Sequence, residues 1–284
     1  MDMPSEQLIL NSAGSLPVLI VVVLYILLLL GGTLTAALLI IRTRQSPIPW
    51  AGRIEWLRSR PWTWKEGMVV IGIVGLLIGL GWAISTLLAN PREGTLIIIQ
   101  GLTLDLAGLG GIAWVAHSRG WRWSETFGIA PLSPKLIQYG FVFYITLIPF
   151  MLISSLVYQG ILSAKGYPPN LQDIAILLSG DYSFWARGLI FLFAIAIAPI
   201  FEECLFRGIL LPLAVRQYGL GTGIFLVSLL FASIHVHLAS FIPLLIIASG
   251  FSLAYLYTQS LWVPIIMHGL FNGVNLALLL VIRH

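Results

Sequence analysis

The sequence predicts an all-α membrane protein, a multi-pass bundle of about eight spans. Hydrophobic residues make up 58% of the 284 residues and charged residues only 9%, whereas a soluble domain carries about 25% charged residues. The mean hydropathy is +0.97. The apolar residues lie in runs close to the roughly 20 residues that a helix needs to cross the bilayer core. Short segments of alternating polarity, which are typical of a transmembrane β-barrel, do not occur.

Glycine, proline or charged residues separate the apolar runs from one another. The eight predicted spans are 16–41, 67–88, 95–116, 136–162, 187–211, 220–234, 239–257 and 261–282. Only residues 235–238 separate the sixth span from the seventh. Because no internal repeat appears, we predict a single membrane domain over 1–284. Within it, 1–185 contribute helices without an assigned role and 186–284 carry the polar motifs.

The basic residues indicate the orientation of the bundle. Most of them lie in alternate connectors: Arg42, Arg44, Arg53, Arg58, Arg60 and Lys65 after the first span, Arg119, Arg122 and Lys135 after the third, and Arg216 after the fifth. Such connectors are predicted to be cytoplasmic, which places both termini outside. Since the net charge of +4 resides in these connectors, we interpret it as a topology signal and expect no nucleic-acid partner.

The fifth span contains three closely spaced ionisable residues, Glu202, Glu203 and Arg207. Each ionisable side chain in a span costs about 2.5–3.5 kcal/mol on insertion, so such residues usually face a cavity or a partner. Glu203 and Arg207 are four residues apart and can pair on one helix face, while Glu202 points about 100° away. An ion pair that fixes helix packing explains Glu203 and Arg207. It leaves Glu202 unexplained and free to react.

Two further polar motifs follow on later spans. His235 ends an F-x-x-x-H motif, and His268 and Asn272 form an H-x-x-x-N motif one helical turn long. Pro264 precedes His268 by four residues, and Pro199 precedes the first glutamate by three. Proline frees a backbone carbonyl and can bend a helix. Bent helices beside polar side chains indicate a water-filled cavity.

The other polar residues of the spans favour structural roles. Asp105, a lone acid of the third span, is a functional candidate by its depth, but a structural hydrogen bond to another helix is the favoured interpretation. His117 and His237 are interpreted as interfacial side chains. Cys204, the only cysteine, is interpreted as a packing residue.

The three motifs together resemble those of a known family. E-E-x-x-x-R at 202–207, F-x-x-x-H at 231–235 and H-x-x-x-N at 268–272 are similar, in order and spacing, to the motifs of the CPBP intramembrane protease family. This family is also called the CAAX protease and bacteriocin-processing, or Abi, family. The resemblance covers about 190–275. It implies an all-helical membrane protein that hydrolyses peptide bonds near the cytoplasmic membrane face; eukaryotic members remove the last three residues of prenylated proteins.

The resemblance also implies roles for the motif residues. Glu202 and His235 would activate a water molecule as general base, and His268 and Asn272 would stabilise the oxyanion. Arg207 would orient Glu203. The expected partners are the lipid bilayer and a membrane-associated peptide or protein, with or without a prenyl group. The expected location is a bacterial-type cell membrane, in which the chain is an integral multi-pass protein.

Several alternatives remain open. His235, His268 and a glutamate are a ligand set that zinc hydrolases use, but no His-Glu-x-x-His motif is present, and we favour a mechanism without a metal or other cofactor. A non-catalytic scaffold or bacteriocin-immunity protein is the alternative function, followed by a transporter that uses Asp105 and Glu202 as ion sites.

The position of His235 conflicts with the predicted orientation. At the end of the sixth span it would lie near the outer surface unless that helix is short or tilted or the orientation is wrong.

Overall fold

The fold is a bundle of helices, seen in a computed structural model that describes residues 16–88, 93–167 and 184–283. Within these ranges there are ten longer helices, one 3-10 turn at Leu238–Ser240 and no strand, which confirms the predicted all-α membrane bundle. The helices are α1 (Leu16–Gln45), α2 (Trp50–Arg58), α3 (Trp64–Leu87), α4 (residues 93–118), α5 (Trp123–Phe127), α6 (Pro134–Ala164), α7 (residues 184–218), α8 (Leu220–Ile234), α9 (Phe241–Thr258) and α10 (Trp262–Arg283).

Eight of these helices correspond to the eight apolar runs of the sequence. Six of them, α1, α3, α4, α6, α7 and α9, are long and apolar enough to cross a membrane, while the apolar parts of α8 and α10 are shorter. Helix α8 has 15 residues, which gives a length of about 22 Å at 1.5 Å per residue. This is less than the roughly 30 Å of a bilayer core.

Helix α7 is longer than the sequence indicated, because it runs past the predicted end at residue 211 to Tyr218. The predicted span ended directly before Pro212. Two π-helical segments lie within α7, Phe193–Ile197 and Cys204–Leu210, and each comes just before a proline, Pro199 or Pro212. The wider turn of a π-helix accommodates a proline, which lacks an N–H and would otherwise clash with the preceding turn. The helix therefore continues through both prolines.

The lengths of α7 and α8 bring their motif residues to one height. Glu202 lies 16 residues before Tyr218, the last residue of α7, and His235 lies 15 residues after Leu220, the first residue of α8. The two helices meet at Gly219, whose φ of +81° reverses the chain. Both motif residues therefore stand about 22–24 Å from this reversal. The short length of α8 accounts for the position of His235.

Helix α4 packs closely against α7. A Cβ at Gly101 would lie 2.5 Å from the ring of Phe193, and one at Gly108 would lie 2.5 Å from the ring of Phe201. The absence of side chains at these two glycines lets the aromatic rings of α7 enter the surface of α4. The N-terminal part of the chain thus forms a wall beside the helix that carries the glutamates.

The polar connectors of the N-terminal part close one end of the bundle through hydrogen bonds to backbone carbonyls. Arg216 donates to the carbonyl of Trp62. The hydroxyl of Tyr255 donates to the carbonyl of Phe127 over 3.2 Å, and the indole N–H of Trp262 donates to another connector carbonyl over 2.9 Å. These contacts attach the ends of α7, α9 and α10 to the connectors around α2 and α5.

Candidate active site

The centre of the site is a buried assembly of Glu203, Arg207 and His268. Nη1 of Arg207 and Nδ1 of His268 both donate to Oε1 of Glu203 over 2.8 Å. The second guanidinium nitrogen, Nη2, donates to the carbonyl of Ala248 over 2.9 Å. Glu203 and Arg207 are fully buried, and His268 is 3% exposed. Glu203 and Arg207 thus form the pair that their spacing predicted, and His268 joins them from α10.

Aromatic rings enclose the buried guanidinium of Arg207. Its central carbon lies 4.8 Å from the ring centre of Phe231 and 5.1 Å from that of Phe251. The ring of Phe251 also stacks on His268 at 5.2 Å. Cation–π contacts strengthen when water is excluded, so these rings hold both the guanidinium and the imidazole in place.

Glu202 has a different environment from Glu203. Its side chain is 21% exposed, and its Oε2 lies 3.8 Å from Nε2 of His268. That oxygen is buried and has no hydrogen-bond partner among the described residues. Of the two adjacent glutamates, one is therefore held by charged partners and the other keeps an oxygen available for a ligand.

His235 directly follows α8, and one of its ring nitrogens has no hydrogen-bond partner among the described residues. Its Nδ1 lies 2.7 Å from the carbonyl oxygen of Phe231; since a carbonyl only accepts, Nδ1 carries the hydrogen, and Nε2 of the neutral ring is an acceptor. The ring of Phe231 contacts His235 at 4.6 Å and His268 at 5.7 Å between centres. The chain then turns at Val236, which is exposed and has an unusual φ of +47° for a β-branched residue.

Asn272 attaches α10 to α7. Its Nδ2 donates to the carbonyl of Ala194 over 2.8 Å. Ala194 lies five residues before Pro199, so its carbonyl is the one that a proline leaves without a donor in a π-helical register. The amide of Asn272 replaces that donor. Pro199 and Asn272 are therefore structurally linked, because the side chain of Asn272 bonds the carbonyl that Pro199 leaves without a donor.

Gly269 permits this close approach and was missed in the sequence. A Cβ there would lie 2.6 Å from the carbonyl oxygen of Ile195, so only glycine lets α10 contact α7 at this point. The available signal was a glycine directly after His268, inside the H-x-x-x-N motif.

Asp105 lies close to this site. It is 6% exposed and lies within the π-helical segment Gly101–Leu106 of α4, three residues before Gly108, which contacts the ring of Phe201 next to Glu202. The hydrogen bond to another helix that we favoured from the sequence is absent among the described residues.

Of the remaining candidates, His117 is exposed, His237 bonds Ser240, and Cys204 is fully buried.

The described residues do not form a metal-ligand group. None of their histidine, cysteine, aspartate and glutamate side chains come together in threes with the geometry to hold an ion. Nδ1 of His268 and Oε1 of Glu203 are bonded to each other. The possible zinc set of His235, His268 and a glutamate is therefore not assembled in this conformation.

Comparison with known proteins identifies the family of this region. Residues 184–274 match the family model "Type II CAAX prenyl endopeptidase Rce1-like", which spans α7, α8, α9 and the part of α10 that contains the site. No curated protein and no solved structure gives a significant match to the chain. The motif resemblance and the family match cover the same helices, and the C-terminal third of the chain is therefore similar to the Rce1-like CAAX protease family.

Proposed function

We propose that this protein is an intramembrane endopeptidase that hydrolyses a peptide bond in a membrane-associated protein or peptide. The family match supports a protease with a membrane-associated substrate. The mechanism is based on the difference in burial and hydrogen bonding between the adjacent residues Glu203 and Glu202. Glu203 is fully buried and bonded to Arg207 and His268, whereas the partly exposed Glu202 has an unpaired oxygen.

Glu202 and His235 activate the water in this proposal. Oε2 of Glu202 and Nε2 of His235 are both acceptors without a bonded hydrogen, so together they can bind the two hydrogens of one water. As the water oxygen bonds to the scissile carbonyl carbon, its proton passes to this pair. The pair then returns the proton to the leaving amine as the C–N bond breaks.

His268 and Asn272 stabilise the oxyanion. Nδ1 of His268 is occupied by Glu203, so the group that faces the reaction is Nε2, and it donates when the ring is an imidazolium. Asn272 uses one N–H for the carbonyl of Ala194 and has a second N–H to donate. Removing one fixed donor that faces a developing negative charge typically lowers kcat about 10²- to 10³-fold.

The substrate and the depth of cleavage are part of the proposal. Glu202 lies near the middle of α7, about 22 Å from Arg187 and about 24 Å from Tyr218, and cleavage near the cytoplasmic face is proposed from the family resemblance. The family description names a prenyl endopeptidase. We accordingly propose a lipid-modified or otherwise membrane-attached protein as the substrate.

The first experiment measures cleavage of membrane peptides by the purified protein in liposomes. Wild type, Glu202→Gln and a control variant, Glu55→Gln, are compared on matched peptides with and without a prenyl group. Glu55 is exposed and lies on α2. We expect wild type and Glu55→Gln to cleave and Glu202→Gln to be inactive. If all three proteins bind the peptides without cleaving any, the scaffold function replaces the protease.

A second arm of the experiment tests the metal-free mechanism. Wild type is assayed after exhaustive chelation and again after zinc is restored. Activity that survives chelation supports general-base catalysis by Glu202. Activity that disappears and returns with zinc would make His235 and His268 metal ligands and contradict the metal-free mechanism.

A further inference from the structure

Asp105 is a buried acid to which the proposed mechanism gives no role. It is 6% exposed and lies in the π-helical segment of α4. Gly101 and Gly108, about one turn away on either side, receive the rings of Phe193 and Phe201. Phe201 directly precedes Glu202. The carboxyl group of Asp105 is therefore held at the α4–α7 interface next to the reactive glutamate.

The carboxyl groups of Asp105 and Glu202 have few partners in the described chain, where only Nε2 of His268 approaches one of them, at 3.8 Å from Oε2 of Glu202. The helix segments that carry them pack together, since Gly108 of α4 contacts the ring of Phe201, the residue before Glu202. Oε2 of Glu202 has no hydrogen-bond partner, and the carboxyl group of Asp105 makes no hydrogen bond to any residue that the structure describes. Arg207, the arginine of the site, is bonded to Glu203 and the carbonyl of Ala248. Among the described residues, no cation therefore forms an ion pair with Asp105.

Neighbouring carboxyl groups in a low-dielectric site cannot both ionise at low cost, so such a pair retains a proton. Asp105 is 6% exposed and Glu202 is partly exposed, so the more deeply buried Asp105 is the favoured site for the proton. We propose that Asp105 is a positioning residue of the active site, a neutral carboxylic acid that donates its hydrogen toward Glu202, directly or through the hydrolytic water. Glu202 then remains the charged group that activates water. This inference rests on the proposed function.

The local backbone supports a role for Asp105 in the site. π-Helical turns inside α-helices frequently occur at functional sites, and the three in the described chain, Gly101–Leu106, Phe193–Ile197 and Cys204–Leu210, all adjoin the glutamates or Asp105. A neutral acid also avoids the cost of a charge within a membrane span.

Steady-state kinetics of two variants test the proposal. Asp105→Asn keeps a neutral hydrogen-bond donor, and we expect its kcat to stay within about threefold of wild type. Asp105→Leu has a similar volume without a donor, and we expect its kcat to fall about 10- to 100-fold at unchanged KM, because Glu202 and the water are misplaced. Thr103→Val is the matched control on α4, since the Thr103 hydroxyl faces Gly81 of α3. It should match wild type.

Three kinetic outcomes overturn the proposal. The first is full activity of Asp105→Leu, and the second is a loss in Asp105→Asn as large as that in Asp105→Leu, which would mean that a charged Asp105 is needed. The third is an equal loss in Thr103→Val, which would indicate a general effect of altering α4. If wild type cleaves no substrate, the proposed function fails instead, and infrared spectroscopy still decides the state of Asp105.

Infrared difference spectroscopy tests the protonation of Asp105 without any substrate. The spectrum of wild type minus Asp105→Asn at neutral pH should contain the C=O stretching band of a protonated carboxylic acid. A spectrum with only the bands of an ionised carboxylate would overturn the proposal, even if Asp105→Leu fails to fold.

Discussion

Two adjacent glutamates acquire different chemistry in this site because their neighbours differ. Glu203 faces Arg207 and His268 and is fully buried, while Glu202 faces a partly open space with one unpaired oxygen. Their 100° separation on a helix is enough to predict two environments. The spacing also predicted the ion pair. The contribution of His268 to that pair required two helices to meet and could not be read from local spacing.

Replacing Arg207 should destabilise the protein. In Arg207→Met the carboxylate of Glu203 stays buried without its cation, which typically costs about 3–5 kcal/mol. Chemical denaturation in detergent measures this loss. Arg187→Met, at an exposed position of the same helix, is the control and should change the unfolding free energy by less than about 0.5 kcal/mol. Equal stability of both variants would show that the buried pair is not needed for folding.

Replacing the two motif histidines should affect activity and stability differently. His235 is exposed and bonds only the carbonyl of Phe231 among the described contacts, so we expect His235→Ala to lose about 10²- to 10⁴-fold in kcat with an unchanged unfolding midpoint. His268→Ala should lose both activity and stability, since it removes a buried partner of Glu203. Parallel cleavage and thermal unfolding assays check this. A large loss of stability in His235→Ala would instead indicate a packing role.

At the scale of the helices, the sequence predicted the spans better than their ends. Eight apolar runs became eight helices because hydropathy and length decide whether a segment crosses the bilayer. The predicted end of α7 at residue 211 was wrong, because the π-helical segment Cys204–Leu210 accommodates Pro212 and the helix continues to Tyr218. Such segments leave no simple signal in the residue pattern, and the approach of α10 to Ile195 through Gly269 depends on them.

The contact between α7 and α10 should be sensitive to one methyl group. In Gly269→Ala the new Cβ would lie 2.6 Å from the carbonyl oxygen of Ile195, so α10 must shift and carry His268 and Asn272 away from Glu202. A displacement of about 1 Å can reduce catalysis about 100-fold. Gly273→Ala is a matched control on the same helix, since its Cβ would make an ordinary 3.8 Å contact with Ile195. Cleavage rates that fall equally in both variants would contradict this explanation.

For the whole molecule, the three motifs located the chemistry but gave no role to the N-terminal helices. These motifs lie within the C-terminal third of the chain, which is also the part that matches the family model. The structure packs the α4 segment that contains Asp105 against α7 and attaches the connectors around α2 and α5 to the ends of α7, α9 and α10. Such long-range contacts leave no periodic pattern in a single sequence, which is why this half remained unassigned.

The C-terminal helices should therefore need the N-terminal ones to be active. Expressed alone, 168–284 would expose the rings of Phe193 and Phe201, which normally enter the surface of α4 at Gly101 and Gly108. We expect this fragment to be unstable and inactive, and co-expression with 1–167 to restore cleavage as the helices reassociate in the membrane by packing. As a control, Gly108→Leu in the co-expressed N-terminal fragment should block recovery, because its side chain would occupy the place of the Phe201 ring. An active C-terminal fragment on its own would show instead that the family domain is self-sufficient, and that the N-terminal helices serve another purpose.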